Sequence, residues 1–395
     1  GPDAQPFIMP EAPHADLFSL PTVSRWAEGY RPHTARECFL PEMPPSARGF
    51  LAAALVANTG RPLLVLAERF REMDETAAAI EVWLGADSSL AFPPIEIVRP
   101  SASPDPEISA QRLATLRALR RAGANAVPPP CVVTTRQAMD QPVPTPDAME
   151  RRLLSIHTGD DVGLDNFVEK LNRAEYLRVN QVDDRGQFAT RGGVLDVFST
   201  DADWPMRLEF YGDRVQSIRE FAVEDQLTRR ILDSGNVLLG TEEEPRGTLA
   251  DWLPSDHLLL DCESNLNAGS SEAPACLPHD FLREMKDSDL LLHEQRRALL
   301  LKHIEDWRTE HWRIIIFCNN EGECQRLKEI LADETGRVAG IDFRIGHLAS
   351  GFTILEDRLA ILSDAEIFGR YQHIPPYRPK GGRAGRGAAG VAGDI

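Results

Sequence analysis

The sequence predicts a multidomain α/β protein in which a parallel-sheet domain is interrupted by an antiparallel β-rich domain and followed by a small α/β domain. Three observations predict this arrangement. Short buried strands alternate with helices between about Pro41 and Met139, as they do in parallel sheets. From about residue 147 the strand candidates are closely spaced and joined by turn residues. Beyond residue 237 the alternation of helices and strands returns.

The composition is that of an acidic globular protein. The 395 residues are enough for two to four domains of ~100–150 residues each, and the hydrophobic content of 42% is sufficient for packed cores. The formal net charge of −18 opposes general binding to nucleic acids, because such binding depends on lysines and arginines that neutralise phosphates. We therefore expect any contact with DNA to be local or made by another part of a larger protein.

The cysteines and the apolar runs bear on the location of the protein. The six cysteines form no Cys-x-x-Cys pair and most lie in apolar runs, which is typical of reduced, buried thiols. No apolar stretch approaches the ~18 residues that a membrane helix needs, and no signal peptide is recognisable. We therefore expect a cytoplasmic protein without a membrane partner. The Gly-Pro start and the abrupt end after Gly-Asp-Ile favour a piece cut from a longer chain over a natural truncation.

The first domain, assigned to residues 1–146, contains the alternation that indicates a parallel sheet. Apolar periodicity predicts helices at 47–57, 75–85 and 108–123, and short apolar runs predict buried strands at 61–68 and 129–135. The proline-rich stretch 141–149 has the composition of a linker, and it marks the change to the next domain.

The second domain, assigned to residues 147–236, is predicted to be an antiparallel β module that includes one helix at 165–174. Its strands are predicted at 151–159, 176–182, 186–199, 205–212 and 214–222. The pair Gly212-Asp213 has the composition of a two-residue hairpin turn. Gly192 and Gly193 lie inside a predicted strand, where glycine indicates a bulge, a close backbone approach or the corner of a barrel. We expect a bulge there that redirects Arg191.

The remainder of the chain is predicted to return to the first domain at 237–278, to form a third domain at 279–370 and to end in a basic flexible linker at 371–395. The third domain has helices predicted at 290–310 and 322–334 and strands at 312–318, 341–346 and 359–363. The linker is rich in Pro, Gly and Ala and has no apolar period.

A phosphate-binding loop is the first site to look for in an α/β domain, and here its sequence is degenerate. Within Met43–Phe50 the residues Ser46, Ala47 and Arg48 stand where a phosphate loop has Gly-Lys-Thr, and no lysine can reach a nucleotide phosphate. Asp261 and Glu263 follow a buried strand, as Mg²⁺-binding acids do, but without a phosphate loop we interpret them as solvated acids. We expect no cofactor in this chain.

No other catalytic or metal site is predicted. The histidines do not have the spacing of metal ligands, and neither a Gly-x-Ser-x-Gly elbow nor a Cys–His arrangement is present. We therefore expect no catalytic residue, no metal ligand and no enzymatic activity in this chain.

The segment Met206–Tyr211 is the most informative part of the second domain. Its period of two separates an apolar face, Met206, Leu208 and Phe210, from a polar face, Arg207, Glu209 and Tyr211. If the apolar set faces the core, Arg207 and Tyr211 project outward about 13–14 Å apart. Arginine and tyrosine are enriched at interface hot spots, so this face is either a docking surface or an ordinary solvated face of a sheet.

These residues carry a resemblance to a known family. The run 176–199 and the hairpin 205–221 resemble domain two of the UvrB-homology module in bacterial transcription-repair coupling factors (Mfd), whose pattern is Gly-x-Phe-x-x-Arg-Gly-Gly and then Arg-x-Glu-Phe-Phe-Gly-Asp. Residues 47–68, 108–122 and 131–139 resemble the degenerate helicase-like first domain of that module. Residues 312–331 and 359–372 resemble its third domain and the lead-in to the polymerase-interacting domain. The resemblance covers about residues 15 to 378.

The resemblance implies a non-catalytic module that recruits the damage-recognition protein UvrA through its second domain. In the family, the C-terminal half binds RNA polymerase and DNA and contains a translocase motor that uses ATP and Mg²⁺; that half lies beyond this sequence. Carried over position by position, the UvrA-contacting residues are Arg191, Arg207 and Tyr211, the last being commonly Phe in the family. The residues Arg178, Arg185 and Arg214 lie on the same hairpins and are secondary candidates.

Two other functions remain open from the sequence alone. A UvrB-like ATP-dependent DNA enzyme would bind nucleotide at residues 43–50, although the aromatic hairpin of UvrB has no counterpart between Pro94 and Gln111. An autoinhibitory module would pack its second domain against the motor half of the same parent protein and hide the docking face.

Overall fold

The structure, a computed structural model, describes residues 12–32, 34–96, 105–125, 131–240, 246–263, 273–279, 292–335 and 340–368. The predicted linker at 371–395, most of the predicted loop at 264–275 and the middle of the segment between Pro94 and Gln111 lie outside these residues. The chain divides into two compact units. Unit 1 consists of the described parts of Gly1–Pro94, Arg121–Met139 and Leu253–Tyr377, and unit 2 of those of Ile95–Arg120 and Asp140–Trp252.

The described residues form eleven α-helices, one short 3₁₀ helix (Leu249–Trp252) and twenty strands. The helices are α1 (Ala15–Phe18), α2 (Pro21–Glu28), α3 (Pro45–Thr59), α4 (Phe70–Leu84), α5 (Pro106–Asn125), α6 (Arg136–Asp140), α7 (Pro146–Arg152), α8 (Leu164–Arg173), α9 (Leu292–Thr309), α10 (Glu321–Thr335) and α11 (Asp364–Phe368). The strands are β1 (Glu37–Phe39), β2 (Leu63–Ala67), β3 (Ser89–Phe92), β4 (Cys131–Thr135), β5 (Val143–Pro144), β6 (Leu153–His157), β7 (Leu177–Arg178), β8 (Gln187–Arg191), β9 (Val194–Val197), β10 (Met206–Tyr211), β11 (Arg214–Phe221), β12 (Thr228–Leu232), β13 (Ser234–Leu238), β14 (Arg246–Gly247), β15 (Leu258–Asp261), β16 (Cys276–Leu277), β17 (Arg313–Cys318), β18 (Ile341–Ile345), β19 (Phe352–Ile354) and β20 (Leu359–Ser363).

The first sheet, in unit 1, has five parallel strands in the order β1-β15-β2-β4-β3. Strands β2 and β4 are buried at every residue, as their continuous apolar runs predict for a parallel sheet. The predicted parallel-sheet domain is therefore confirmed. The sequence does not predict β1 and β3, because strands of three or four residues are too short to show a period.

Helix α3 is fixed by its ends and by its contact with α4. Pro45 stands in its first turn, where the missing N–H is not needed, and Gly60 ends it in the left-handed conformation, with φ of 66°. A Cβ atom on Gly49 would lie 2.5 Å from the Cβ of Ala79 in α4. The two helices therefore approach closely because residue 49 has no side chain.

The second sheet of unit 1 has the order β16-β19-β20-β17-β18. Strand β17 is parallel to β18 and β20, whereas β19 is antiparallel to β16 and β20. This sheet shares one apolar core with the first sheet. The aromatic centre of that core consists of Phe50, Trp83, Phe317 and Phe352, whose contacting rings have centroids 5.0 to 6.4 Å apart.

Unit 2 is built on a six-stranded sheet of order β12-β11-β10-β9-β8-β7, which we call the hairpin sheet. Its neighbouring strands are antiparallel except for β7 and β8. One face packs against α8, whose Phe167 and Leu171 share a core with Leu195 and Leu208. The predicted antiparallel β-rich domain is confirmed.

The two glycines after Arg191 form a turn, so the prediction of a bulge inside one continuous strand is wrong. Gly192 and Gly193 connect β8 to β9, with Arg191 opposite Val194. Gly192 has a φ of 59°, and a Cβ atom on Gly193 would lie 2.8 Å from the carbonyl oxygen of Phe210. The glycines are therefore needed for a left-handed turn and a close backbone approach.

The second predicted turn has the expected form. Gly212 and Asp213 connect β10 to β11 as a two-residue hairpin turn, with Tyr211 opposite Arg214. The register irregularities of the sheet lie elsewhere, between Glu209 and Phe210 and between Glu220 and Phe221.

The cysteines are all buried and free, which confirms the prediction of buried thiols. Burial raises the pKa of Cys38 and of Cys262 to about 12. Within the described ranges, no helix has both the length and the apolar character required to cross a membrane. In the same part of the chain, no group of three or more His, Cys, Asp or Glu side chains is arranged to hold a metal ion.

Candidate docking surface

The hairpin sheet has one buried face and one partly exposed face. Met206, Leu208 and Phe210 are buried, as the period of two predicts. Residues directly opposite in an antiparallel pair point to the same side, so the register defines the other face. We call it the outer face; it carries Arg191, Asp196, Arg207, Glu209, Tyr211, Ser217, Arg219 and Ile231.

Tyr211 and Arg191 lie at the same end of the outer face. Strands β8 and β10 run in the same direction, with β9 antiparallel between them, so Arg191 and Tyr211 both precede turns at one end of the sheet. Tyr211 is 82% exposed. Arg191 is also exposed, and its Nη2 donates a hydrogen bond to the backbone oxygen of Asn180 at 2.6 Å. Strand spacing places their Cα atoms about 10–13 Å apart.

Arg207 lies on the outer face, but its guanidinium group is held within the chain. Nε and Nη2 donate to the two carboxylate oxygens of Asp196 at 2.6 and 2.8 Å, and Nη2 also donates to Gln226 at 3.3 Å. The guanidinium carbon lies 4.5 Å from the ring centroid of Phe221. Hydrogen bonding to Asp196 raises the pKa of Arg207, and the arginine side chain keeps 23% of its exposure. Nη1 has no partner among the described residues.

The outer face also contains Ser217, Arg219 and Ile231, which the sequence analysis did not select. Arg219 lies between Arg207 and Ile231 across the strands and forms an ion pair with Glu209, which also accepts a hydrogen bond from Ser217 at 2.7 Å. Ile231, on the edge strand β12, is 77% exposed. The strand register identifies these neighbours, and periodicity along one strand cannot supply it.

The secondary candidates are not brought together. Arg178 donates to the Thr190 hydroxyl at 2.7 Å, and Arg185 donates from Nε to the Ala202 oxygen at 2.9 Å. Arg214 donates from Nε to the Gly159 oxygen at 3.1 Å. Only Arg214 is next to a main candidate, because it is opposite Tyr211 in the hairpin.

The hairpin sheet is positively charged although the chain is acidic. Its six strands contain seven arginines and three acidic residues, whereas the whole chain has a net charge of −18. Each of the three acids, Asp196, Glu209 and Glu220, forms an ion pair with an arginine of the same sheet. The remaining arginines are Arg178, Arg191, Arg214 and Arg229. The strands themselves therefore carry an excess of positive charge, whereas the turns that connect them carry acidic residues, among them Asp213, Glu224 and Asp225.

The degenerate phosphate loop lies in the first turn of α3, and its residues are used in packing. Ser46, Ala47 and Arg48 are buried. Arg48 forms an ion pair with Glu72, and the hydroxyl oxygen of Ser46 lies 3.3 Å from that of Ser350. A lysine for nucleotide phosphates would have to displace these contacts.

Asp261 at the end of β15 and Glu263 just beyond it also have a partner within the chain. Arg136 donates from Nη2 to Asp261 at 2.7 Å and from Nε to Glu263 at 2.6 Å. These interactions raise the pKa of Arg136, chiefly through the hydrogen bond to Glu263. The interpretation of Asp261 and Glu263 as merely solvated acids is therefore corrected, since both are ion-paired.

Comparisons with known proteins match this part of the chain. Residues 154–241 match the family described as the UvrB interaction domain. Arg191, Arg207 and Tyr211 all lie within that range. The match therefore covers the hairpin sheet and helix α8.

The chain is also similar to curated proteins named transcription-repair-coupling factor. The relative from Mycobacterium bovis is 38% identical over 186 residues, covering 46% of this chain and 15% of the relative. The one from Myxococcus xanthus is 33% identical over 229 residues, covering 54% of this chain and 19% of the relative. The one from Bacillus subtilis is 27% identical over 203 residues, covering 51% and 17%. The matched part of this chain thus spans less than a fifth of each relative, and the resemblance inferred from the sequence is confirmed.

Proposed function

We propose that this chain, as the counterpart of the N-terminal module of a transcription-repair coupling factor, recruits UvrA to RNA polymerase stalled at DNA damage. In this proposal the chain is the non-catalytic, cytoplasmic part of a longer translocase, and the rest of that protein binds RNA polymerase and DNA. The observation that carries the proposal is the exposed ring of Tyr211, beside arginines, on the sheet that matches the UvrB interaction domain.

The chemistry of the outer face supports docking of a protein with acidic groups. An exposed tyrosine offers a large ring that loses little conformational entropy when it is buried by a partner. Arg191 at the same end of the sheet supplies a cation that can pair with a carboxylate. Exposed aromatic and arginine side chains of this kind are where binding energy concentrates in protein interfaces.

Arg207 has a different part in this proposal from the one its sequence position suggests. Its Nε and Nη2 are engaged by Asp196, so it meets the partner as a fixed donor through Nη1. Preorganisation of this kind lowers the entropy lost on binding.

The proposal that the chain is non-catalytic rests on two places, the degenerate phosphate loop at the start of α3 and the acidic pair at the end of β15. Arg48 and Arg136 form ion pairs with Glu72 and with Asp261 and Glu263. We expect no heat of binding when ATP and Mg²⁺ are titrated into the chain. A saturable signal would favour the UvrB-like ATP-dependent function instead.

The test of UvrA recruitment is a calorimetric titration of the chain with purified UvrA. Tyr211→Ala and Arg191→Ala should each weaken binding about tenfold or more, since truncation of a hot-spot residue costs roughly 1–2 kcal/mol or more. Neither side chain supports the core, so both variants should unfold like the parent chain.

The matched controls remove similar side chains elsewhere. Arg173→Ala removes an exposed arginine of α8, and Leu355→Ala removes an exposed apolar side chain of unit 1. Both controls should bind UvrA within about twofold of the parent. Equal affinity of the parent and both outer-face variants would contradict the proposed site.

A further inference from the structure

The turn between β11 and β12 contains a residue whose backbone conformation is unusual for its type. Gln226 has a φ of 61°, in the left-handed region. Two backbone hydrogen bonds close the turn, from Gln226 N–H to the Ala222 oxygen at 2.9 Å and from Ala222 N–H to the Leu227 oxygen at 3.0 Å. Glycine or asparagine usually occupies the left-handed position of a hairpin loop, because other residues are strained there. We therefore looked for contacts of the Gln226 side chain that offset this strain.

The side chain of Gln226 connects three parts of unit 2. Its carbonyl oxygen Oε1 accepts a hydrogen bond from Nη2 of Arg207 at 3.3 Å. Its Nε2 donates to the backbone oxygen of Val223 at 2.9 Å and to that of Val182 at 3.5 Å. The partners require this orientation of the amide, because a guanidinium group can only donate and a backbone oxygen can only accept. Gln226 thus connects the turn, the segment before β8 and the outer face.

The contact with Gln226 completes the restraint of one side of the Arg207 guanidinium group. Nε and one hydrogen of Nη2 are used by Asp196, and the second hydrogen of Nη2 is used by Gln226. The ring of Phe221, 4.5 Å from the guanidinium carbon, supports the group from one face. Among the described residues, no partner takes the hydrogens of Nη1. Arg207 therefore offers one nitrogen, which fits a single acceptor oxygen and not the two oxygens of a bidentate carboxylate.

We propose that Gln226 is a positioning residue of the docking surface, which holds Nη2 of Arg207 so that only Nη1 is presented to a single acceptor oxygen of UvrA. This proposal rests on the proposed function. Asp196 alone leaves one hydrogen of Nη2 unused beside Nη1, and two adjacent free donors can bind a partner in more than one arrangement. Gln226 removes this choice before the partner arrives, which lowers the entropy lost on binding. Gln226 acts through Arg207 and does not have to contact UvrA itself.

The first test replaces Gln226 in the full chain and titrates each variant with UvrA in a calorimeter. Gln226→Gly suits the left-handed backbone and removes Oε1. Gln226→Asn also suits that backbone, but its side chain is one methylene group shorter and should not reach Arg207. Each variant should bind UvrA about threefold to tenfold more weakly than the parent. The melting temperature should stay within about 3 °C of the parent, because relief of strain offsets the lost hydrogen bonds.

The matched control relieves a left-handed backbone that has no contact with Arg207. Glu175 is exposed and also has a φ of 61°. Glu175→Gly should leave the affinity for UvrA within about twofold of the parent. Parent-like affinity of both Gln226 variants would overturn the proposal.

The second test asks whether the effect of Gln226 passes through Arg207. Arg207→Lys keeps a cation beside Asp196 but has neither Nη1 nor Nη2. In this background Gln226→Gly should change the affinity for UvrA less than about twofold. An equal loss of affinity in the parent and in the Arg207→Lys background would assign the effect to the shape of the turn and overturn the proposal. Full affinity of Arg207→Lys would also overturn it, because binding would then not depend on Nη1.

These outcomes separate the two proposals. If Tyr211→Ala loses binding while both Gln226 variants bind like the parent, the docking function stands and the positioning role of Gln226 does not. If the parent chain binds no UvrA, the proposed function itself fails.

Discussion

At the scale of single residues, the pair of Arg207 and Asp196 shows how a predicted docking residue can also be structural. The sequence places Arg207 on the outward side of β10, and that placement is correct. What the sequence does not contain is the register that puts the carboxylate of Asp196 directly opposite. Asp196 is 4% exposed, so loss of its partner leaves a buried charge without compensation.

Arg207→Ala should therefore lower the free energy of unfolding by about 2–4 kcal/mol, measured by urea denaturation. Arg219→Ala is the control, because the Arg219–Glu209 pair is more exposed and its loss should cost less than about 1 kcal/mol. Equal losses of stability in the two variants would contradict a larger contribution from the Arg207–Asp196 pair.

A second residue, Glu366 on α11, is half-buried as a whole, but its carboxyl oxygen Oε1 is buried, and burial is the chief cause that raises its pKa to about 7. The backbone N–H of Ser363 donates to it at 3.1 Å, and a further backbone hydrogen bond comes from Gly351. Because its ordinary value is 4.5, the folded protein holds a proton between about pH 4.5 and 7 that the unfolded chain has lost. This contribution to stability is complete below pH 4.5 and is lost as the pH rises through 7.

Glu366→Gln should remove that pH dependence. The free energy of unfolding of the parent relative to the variant should fall by roughly 3 kcal/mol between pH 4.5 and 8, which urea titrations across this range would measure. His14, whose pKa is lowered to about 4 by burial and by Arg344, acts in the opposite direction but is common to both proteins. A constant difference across the range would contradict the assignment.

At the scale of elements, the turn after β8 depends on two different properties of glycine. Gly192 supplies the left-handed conformation, and Gly193 allows the Phe210 carbonyl to approach. Gly212 also has a positive φ, of 61°, but no atom lies within 4 Å of the position of a Cβ. The two hairpin turns therefore differ in the side chains that they can accept in place of glycine.

We expect Gly193→Ala to lower the free energy of unfolding by about 1–3 kcal/mol, because backbone must move to make room for the methyl group. Gly212→Asn should cost less than about 1 kcal/mol, since asparagine adopts the left-handed conformation readily and the space is open. Calorimetric melting of both variants would test this. A larger loss for Gly212→Asn would contradict it.

The elements that the sequence predicts well are those with a long periodic apolar pattern or a continuous apolar run. Strands β2, β4 and β17 and helices α3, α4 and α9 have such patterns and occur within a few residues of their predicted ranges. The structure divides the predicted strand 186–199 into β8 and β9. The sequence does not predict this division, because a pair of glycines is found in bulges as well as in turns. For the site, the period of two in β10 indicates Arg207 and Tyr211, and the family resemblance adds Arg191. Asp196, Arg219 and Ile231 become their neighbours only through strand pairing.

At the scale of the whole molecule, the charge of the hairpin sheet contrasts with that of the chain. Seven arginines on six strands are embedded in a protein with a net charge of −18. Long-range attraction to an acidic partner is therefore weak, and the arginines act at contact distance, within a Debye length of ~8 Å at physiological salt.

Binding to UvrA should accordingly weaken with added salt, and the dependence should come mainly from the outer face. We expect the affinity of the parent to fall several-fold between 50 and 300 mM NaCl, and that of Arg191→Ala to fall less. Titrations at both concentrations test this. Equal salt dependence of parent and variant would remove Arg191 from the contact.

The aromatic centre of unit 1 affects how the protein can be divided for experiments. Phe50 and Trp83 come from the helices beside the first sheet, whereas Phe317 and Phe352 come from strands of the second sheet of unit 1. A fragment that stopped before residue 292 would leave two large rings facing water, and it should be poorly soluble when expressed. The stretch 140–252 of unit 2, whose core contains none of the four rings, is the better segment to isolate for spectroscopy.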